Sequence, residues 1–315
     1  MTPATVTLTS LPLAGIGLAI VAAALLAVGN ELQSRGVAAV AARSTADSAL
    51  GAKQFTRLLR NGTWLLGSVA FGLSIIVQLA SLTLAPLIVV QPVGVTALVF
   101  AALLTVVTTR KAPSRRVTRS ILICIAGVGV FVTVAALVAQ QHAIEETQLI
   151  AILIVLAVVL VALGGVFLFS RLRQWPIPPM VYVLAGGLLT GFVATLGKTV
   201  IGRVQTVLST EFMFDAATVL TLFCVLGIAV AGGLSIYFVQ VAHTVARPEV
   251  VVAGLTVIDP VVAVVLGITI LGEAAGAPLW AVLAFVVAGA VAVSGVFLLS
   301  AAQEKDAREK AVSLP

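Results

Sequence analysis

The chain has 315 residues, of which 61% are hydrophobic and only 10% charged, with a mean hydropathy of +1.21. A soluble domain of this size carries roughly a quarter charged residues, so the composition excludes an ordinary soluble fold and leaves no room for a separate soluble domain. The formal charge of +6 resides in a few loops and is not read as nucleic-acid binding.

Apolar runs of about 20 residues, the length that crosses ~30 Å of hydrocarbon, recur along the chain. The first, about 11–29, follows a polar tail without a basic residue. It therefore lacks the charged start of a signal peptide and is expected to stay in the mature protein. A polar stretch over 30–62 opens with NELQSR (Asn30–Arg35). Within it Leu50, Phe55, Leu58 and Leu59 alternate with Lys53, Arg57 and Arg60, a pattern that fits either a short interfacial helix or a solvated loop. Further spans are predicted at about 63–83, 87–108, 119–139, 147–170, 179–201, 216–242, 249–271 and 278–300, nine crossings in all. Residues 303–315 form a charged cytoplasmic tail that is expected to be disordered. Cys124 and Cys224 lie inside spans and are read as packing residues, neither a disulfide nor a metal site.

The loops set the expected orientation. With the N-terminus outside, 16 of the 18 Lys and Arg residues fall on the cytoplasmic side, including the Arg110, Lys111, Arg115, Arg116, Arg119 cluster; only Lys198 and Arg203 fall opposite. This bias predicts N-terminus out and C-terminus in, with anionic lipid as the partner of the basic loops. The composition suggests a multi-pass bacterial plasma-membrane protein.

Two stretches repeat. Gly72–Pro86 reads GLSIIVQLASLTLAP and Gly233–Pro248 reads GLSIYFVQVAHTVARP; a weaker match pairs GNELQSR (Gly29–Arg35) with GKTVIGR (Gly197–Arg203). Each second copy lies five crossings after the first, so the halves must be oppositely oriented, as in carriers built from inverted repeats around a site. Residues 1–139 then form one repeat, 140–170 a linking span, and 171–302 the second repeat.

Asp259 stands beside Pro260 near the middle of a predicted span. A carboxylate there costs ~2.5–3.5 kcal/mol on insertion scales, so it marks a functional candidate. Pro260 lacks an N–H and frees a carbonyl near Thr256, predicting a helix break. Gln78 and Gln240 sit in the repeat, with Ser74 on the face of Gln78 and Tyr237 on that of Gln240. These side chains either line a cavity or bridge helices. Lys198, near the outer boundary, is expected to snorkel to the interface before pairing with Asp259 or binding an anion. Glu31 and Arg35 form an inner gate or, more simply, an interfacial ion pair. Glu273, at the end of its span, is read as structural. His142 and His243 have no partner at ligand spacing and receive no role. No phosphate-binding loop, HExxH, GxSxG or Cys/His cluster is present, so neither an enzyme nor a cofactor is expected.

The segment Thr256–Glu273 (TVIDPVVAVVLGITILGE), with the span that follows it, resembles the closing helices of the drug/metabolite transporter (DMT, EamA-like) superfamily. VVQPVGVTALVFAALL (Val89–Leu104) is its counterpart in the first half, though it closes with Thr108–Lys111 in place of Gly-Glu. Nine spans and the polar exit from span 1 resemble the branch that includes NIPA-type magnesium transporters. The resemblance implies an all-α polytopic membrane protein: about nine helices in two inverted repeats around a central cavity. It further implies a permease for a small organic metabolite, drug or lipid-linked intermediate, coupled to protons or to exchange. Asp259, Gln78, Gln240, Ser74, Tyr237 and Thr256 are then the substrate or coupling candidates. Pro260, Pro92, Glu31, Arg35 and Lys198 are the gate or helix-break candidates. In the alternative, a magnesium transporter, Asp259 serves as the metal ligand, although Mg²⁺ prefers more hard oxygen donors than one carboxylate. A non-transporting scaffold is the third reading.

Overall fold

The computed structural model describes residues 11–41, 59–109, 114–140, 144–209, 216–245 and 248–312. The described residues form ten helices in sequence: α1 (Leu11–Ala41), α2 (Gly62–Leu84), α3 (Leu87–Gly94), α4 (Thr96–Thr109), α5 (Arg115–Val138), α6 (Glu146–Arg173), α7 (Pro179–Ser209), α8 (Ala216–Val245), α9 (Pro248–Thr269) and α10 (Leu279–Val312). With α3 and α4 taken as one broken span, nine are long and apolar enough to cross a membrane. The predicted spans therefore correspond to helices, several of them longer than the apolar run alone. α1 runs through NELQSR to Ala41, and the polar stretch expected over 30–62 begins instead inside a helix. The interfacial-helix question over 42–58 lies outside the described residues.

Local chemistry fixes the helix ends. Asn61 Oδ1 accepts from Trp64 N (3.0 Å) at the start of α2, and Ser114 Oγ accepts from Val117 N (3.3 Å) at the start of α5, each satisfying an orphan donor. Glu145 N donates to Gln148 Oε1 at 3.0 Å at the start of α6. Outward faces are apolar: Leu13, Val107, Leu137, Val161 and Leu172 are each at least two-thirds exposed. A surface of this kind suits hydrocarbon and not water.

Packing follows a regular scheme. α1 lies against α2 and against α3 and α4; α7 lies against α8 and α9; α5 pairs with α10, and α3 with α9. Small residues set these seams. A Cβ at Gly29 would stand 2.9 Å from Phe71 N, and one at Gly295 would stand 2.6 Å from Cys124 Cα. Both cysteines are free and buried. The core centres on α3, where Leu87, Ile88, Val89 and Val90 are fully enclosed.

The two span prolines behave differently. After Pro92 the ladder is interrupted at Val95, whose N–H reaches back to Pro92 O (3.2 Å), separating α3 from α4 as the sequence predicts. Pro260 sits inside an unbroken α9, so the predicted break there is corrected. Gly94 follows Pro92 by two residues, whereas Pro260 precedes an uninterrupted apolar helix former run, VVAVVL. Packing of α9 against α7 holds the rest of that helix in register.

Candidate functional site

Asp259 lies on the side of α9 that meets α7. A Cβ at Gly187 would stand 2.8 Å from Ile258 Cβ, and one at Gly191 would stand 3.0 Å from Asp259 O. Only glycine allows the two backbones this close. Asp259 Oδ1 is buried and has no hydrogen-bond partner among the described residues. The basic partner allowed for in the sequence is absent among the described residues. Pro260 withholds the N–H that Thr256 O would accept, while the Thr256 hydroxyl donates to Val252 O (2.7 Å). The result is a buried, unsatisfied carboxylate oxygen one residue before a proline. Such a group costs ~1–3 kcal/mol or more when neutral, and more when charged.

Pro92, Thr256 and Pro260 share one cavity of about 380 Å³ between α3, α5, α9 and α10, with Phe131 and Phe285 on its wall. Two of its lining residues, Val261 and Val286, are exposed. A second cavity, about 700 Å³, lies between α1, the α3–α4 break and α5, and carries Thr96 and Thr133. Asp259 lines neither, nor do Gln78, Gln240, Ser74 or Tyr237.

The remaining candidates are dispersed. Ser74 is buried and donates to Phe71 O of its own helix (2.7 Å). Gln78 is half-buried, while Gln240 and Tyr237 are exposed on the outer face of α8. The repeat-mate of Ser74, Ser235, does the bridging instead: its Oγ donates to Gly186 O (2.9 Å) and meets Thr190 Oγ1 at 2.7 Å. Sequence reasoning passed over Ser235, although it is the third residue of the second GLSI. Glu31 and Arg35 do meet, at 2.7 Å, and Arg35 Nη2 donates to Thr108 Oγ1 at 2.7 Å; the contact is exposed.

Lys198 requires a correction. Instead of snorkelling to the interface, it is only 5% exposed and pairs with Glu273, itself 3% exposed. The Glu273 carboxylate also accepts Leu87 N (2.8 Å) at Oε1 and Ile88 N (2.7 Å) at Oε2. These N–H groups belong to the first turn of α3, which follows Pro86 and has no side-chain cap of its own. An anion is favoured there by both the orphan donors and the helix dipole. Gly272, at φ 68°, turns the chain out of α9 in a left-handed conformation that glycine adopts freely. Glu273 N then returns to Gly267 O (3.0 Å), while Glu273 O accepts Gln140 N (2.7 Å). The Gly-Glu pair is thus the device that aims a carboxylate from the end of α9 at the start of α3. No family model, curated protein or solved structure matches the chain.

Proposed function

We propose that the chain is a secondary transporter of the drug/metabolite type, moving a small organic metabolite, drug or lipid-linked intermediate by alternating access, with Asp259 as the proton- or cation-coupling group. The observation that carries this reading is Asp259 Oδ1, buried and unpartnered beside Pro260 in a helix of membrane-spanning length. A carboxylate retained there without a protein partner is the arrangement expected of a group that binds and releases something. The packing scheme supports two inverted repeats. α1 with α2 and α3–α4 corresponds to α7 with α8 and α9, while α5–α10 and α3–α9 pair equivalent elements. Ser74 and Ser235, equivalent in the two GLSI motifs, are both buried.

The test is ligand-dependent thermal stabilisation of purified protein, wild type beside Asp259→Asn, across pH 5–8, Mg²⁺ and a metabolite panel. A ligand at 100 times its Kd adds about 2.7 kcal/mol; this gain is expected in wild type and lost in the variant. Stabilisation by Mg²⁺ alone would move the reading to a magnesium transporter. That outcome ranks second because no three His, Cys, Asp or Glu side chains gather among the described residues. Identical responses of the two proteins to every addition would make Asp259 structural and remove its coupling role.

A further inference from the structure

Glu273, Lys198 and the first turn of α3 come from three separate segments and close one end of the bundle. The carboxylate belongs to the turn after α9, the ammonium to α7, and the two N–H donors to the opposite half of the chain. Gln140, just after α5, and Gln148, in the first turn of α6, join the same knot through Gln140 N on Glu273 O (2.7 Å) and Gln148 Nε2 on Leu271 O (3.3 Å). Around it the contact between α3 and α9 is apolar, with Leu87, Ile88 and Leu266 all buried.

The other end carries a weaker version of the same arrangement. In the repeat, Gly29–Arg35 matches Gly197–Arg203, so the end of α1 corresponds to the end of α7, and the end of α4 to the end of α9. There a basic residue of the first helix, Arg35, again reaches the end of the third, at Thr108, but the contact is exposed and lacks an acidic residue from α4. Among the described residues, one end thus carries a buried charged cluster and the other an exposed Arg35 contact to Glu31 and Thr108. We propose that Glu273, Lys198 and the α3 N-terminus form a releasable clasp between the two halves, whose opening is the gate at this end of the pathway. The proposal rests on the transporter reading. A charged clasp suits a closure that must reopen, because separated charges regain hydration, whereas separated apolar surfaces lose ~25 cal/mol for every Å² exposed.

The test reports opening without a substrate. A single reporter, Val90→Cys, is placed one turn behind the clasp at a fully buried position, with Cys124 and Cys224 replaced by Ala. Its labelling by a polar, membrane-impermeant maleimide is followed on protein in lipid nanodiscs. A lock is supplied by Leu87→Cys with Gly267→Cys, where a Gly267 Cβ stands 3.6 Å from Leu87 Cβ, within the range a disulfide bridges. The same Cβ stands 3.0 Å from Glu273 Oε2, so Val90→Cys without the lock is labelled beside it to read the crowding of the carboxylate. Oxidised and reduced forms of the same protein are compared, with the 87–267 disulfide confirmed by peptide mapping. Modification is scored at residue 90 alone by tandem mass spectrometry, so that the lock thiols are not counted. With Glu273 intact, the oxidised lock is expected to slow reporter labelling below the reduced form, because the unlocked protein opens transiently. With Glu273→Gln, labelling is expected to rise at least about tenfold and to return to the locked rate on oxidation. Equal labelling of locked and unlocked protein overturns the clasp, as does fast labelling of Glu273→Gln that the lock leaves unchanged, which would mean local unfolding. A clasp that opens in a protein with no Asp259-dependent ligand keeps the gate and removes the transporter reading; the reverse combination does the opposite.

Discussion

Asp259 and Glu273 are carboxylates fourteen residues apart in the chain, and the structure gives them opposite circumstances. Among the described residues Glu273 has three donors and Asp259 Oδ1 none. Removing the charge should therefore act in opposite directions. Lys198→Met leaves a buried carboxylate without its cation and is expected to cost ~3–5 kcal/mol, read as a lower unfolding midpoint in detergent. Asp259→Leu removes an unsatisfied buried oxygen and is expected to hold or raise the midpoint, by up to ~1–3 kcal/mol, while abolishing any ligand response. A large loss of stability in Asp259→Leu would show that this carboxylate is structural. Asp259 was legible in the sequence because a charge inside an apolar run is anomalous on its face. The Lys198–Glu273 pair was not, because its partners lie 75 residues apart and each stands near a span end, where interfacial charges are ordinary.

Glycine is abundant in the helices, and the sequence could not tell which glycines the packing needs. Gly127, Gly186, Gly187 and Gly191 do meet a neighbouring helix, but Gly129, Gly164 and Gly165, also inside apolar spans, face open space. The difference is rotational position on the helix, which composition does not carry. Gly295→Ala would push a Cβ to 2.6 Å from the Cys124 backbone; the seam between α5 and α10 must then separate, and a loss of ~1–3 kcal/mol is expected. Gly129→Ala meets nothing within 4 Å and should gain up to ~1 kcal/mol from helix propensity. Thermal unfolding of the pair distinguishes them, and equal effects would contradict the described seam. Pro92 and Pro260 teach the same lesson: both read as breaks, yet only the proline followed by Gly94 produces one.

At the scale of the whole chain, the number and approximate position of the spans were readable because length and apolarity are local properties. How the helices associate was not, apart from what the GLSI repeat suggests, because seams between apolar helices depend on shape. The basic-loop bias yields a topology prediction. In intact bacterial cells expressing the protein, a cysteine at exposed Gln174 should resist an impermeant maleimide, while one at exposed Ala275 should react; the reverse pattern would invert the molecule. The capping of α3 by Glu273 also has a consequence for biogenesis. Glu273 is synthesised 186 residues after Leu87, a delay of roughly 10–40 s at ordinary elongation rates. Throughout that interval α3 waits with open donors at its first turn, and Lys198, once made, has no counter-ion. The first half cannot mature before the second arrives, so ribosomal stalling ahead of Gly272 should leave a chain that insertion-quality proteases still recognise as incomplete.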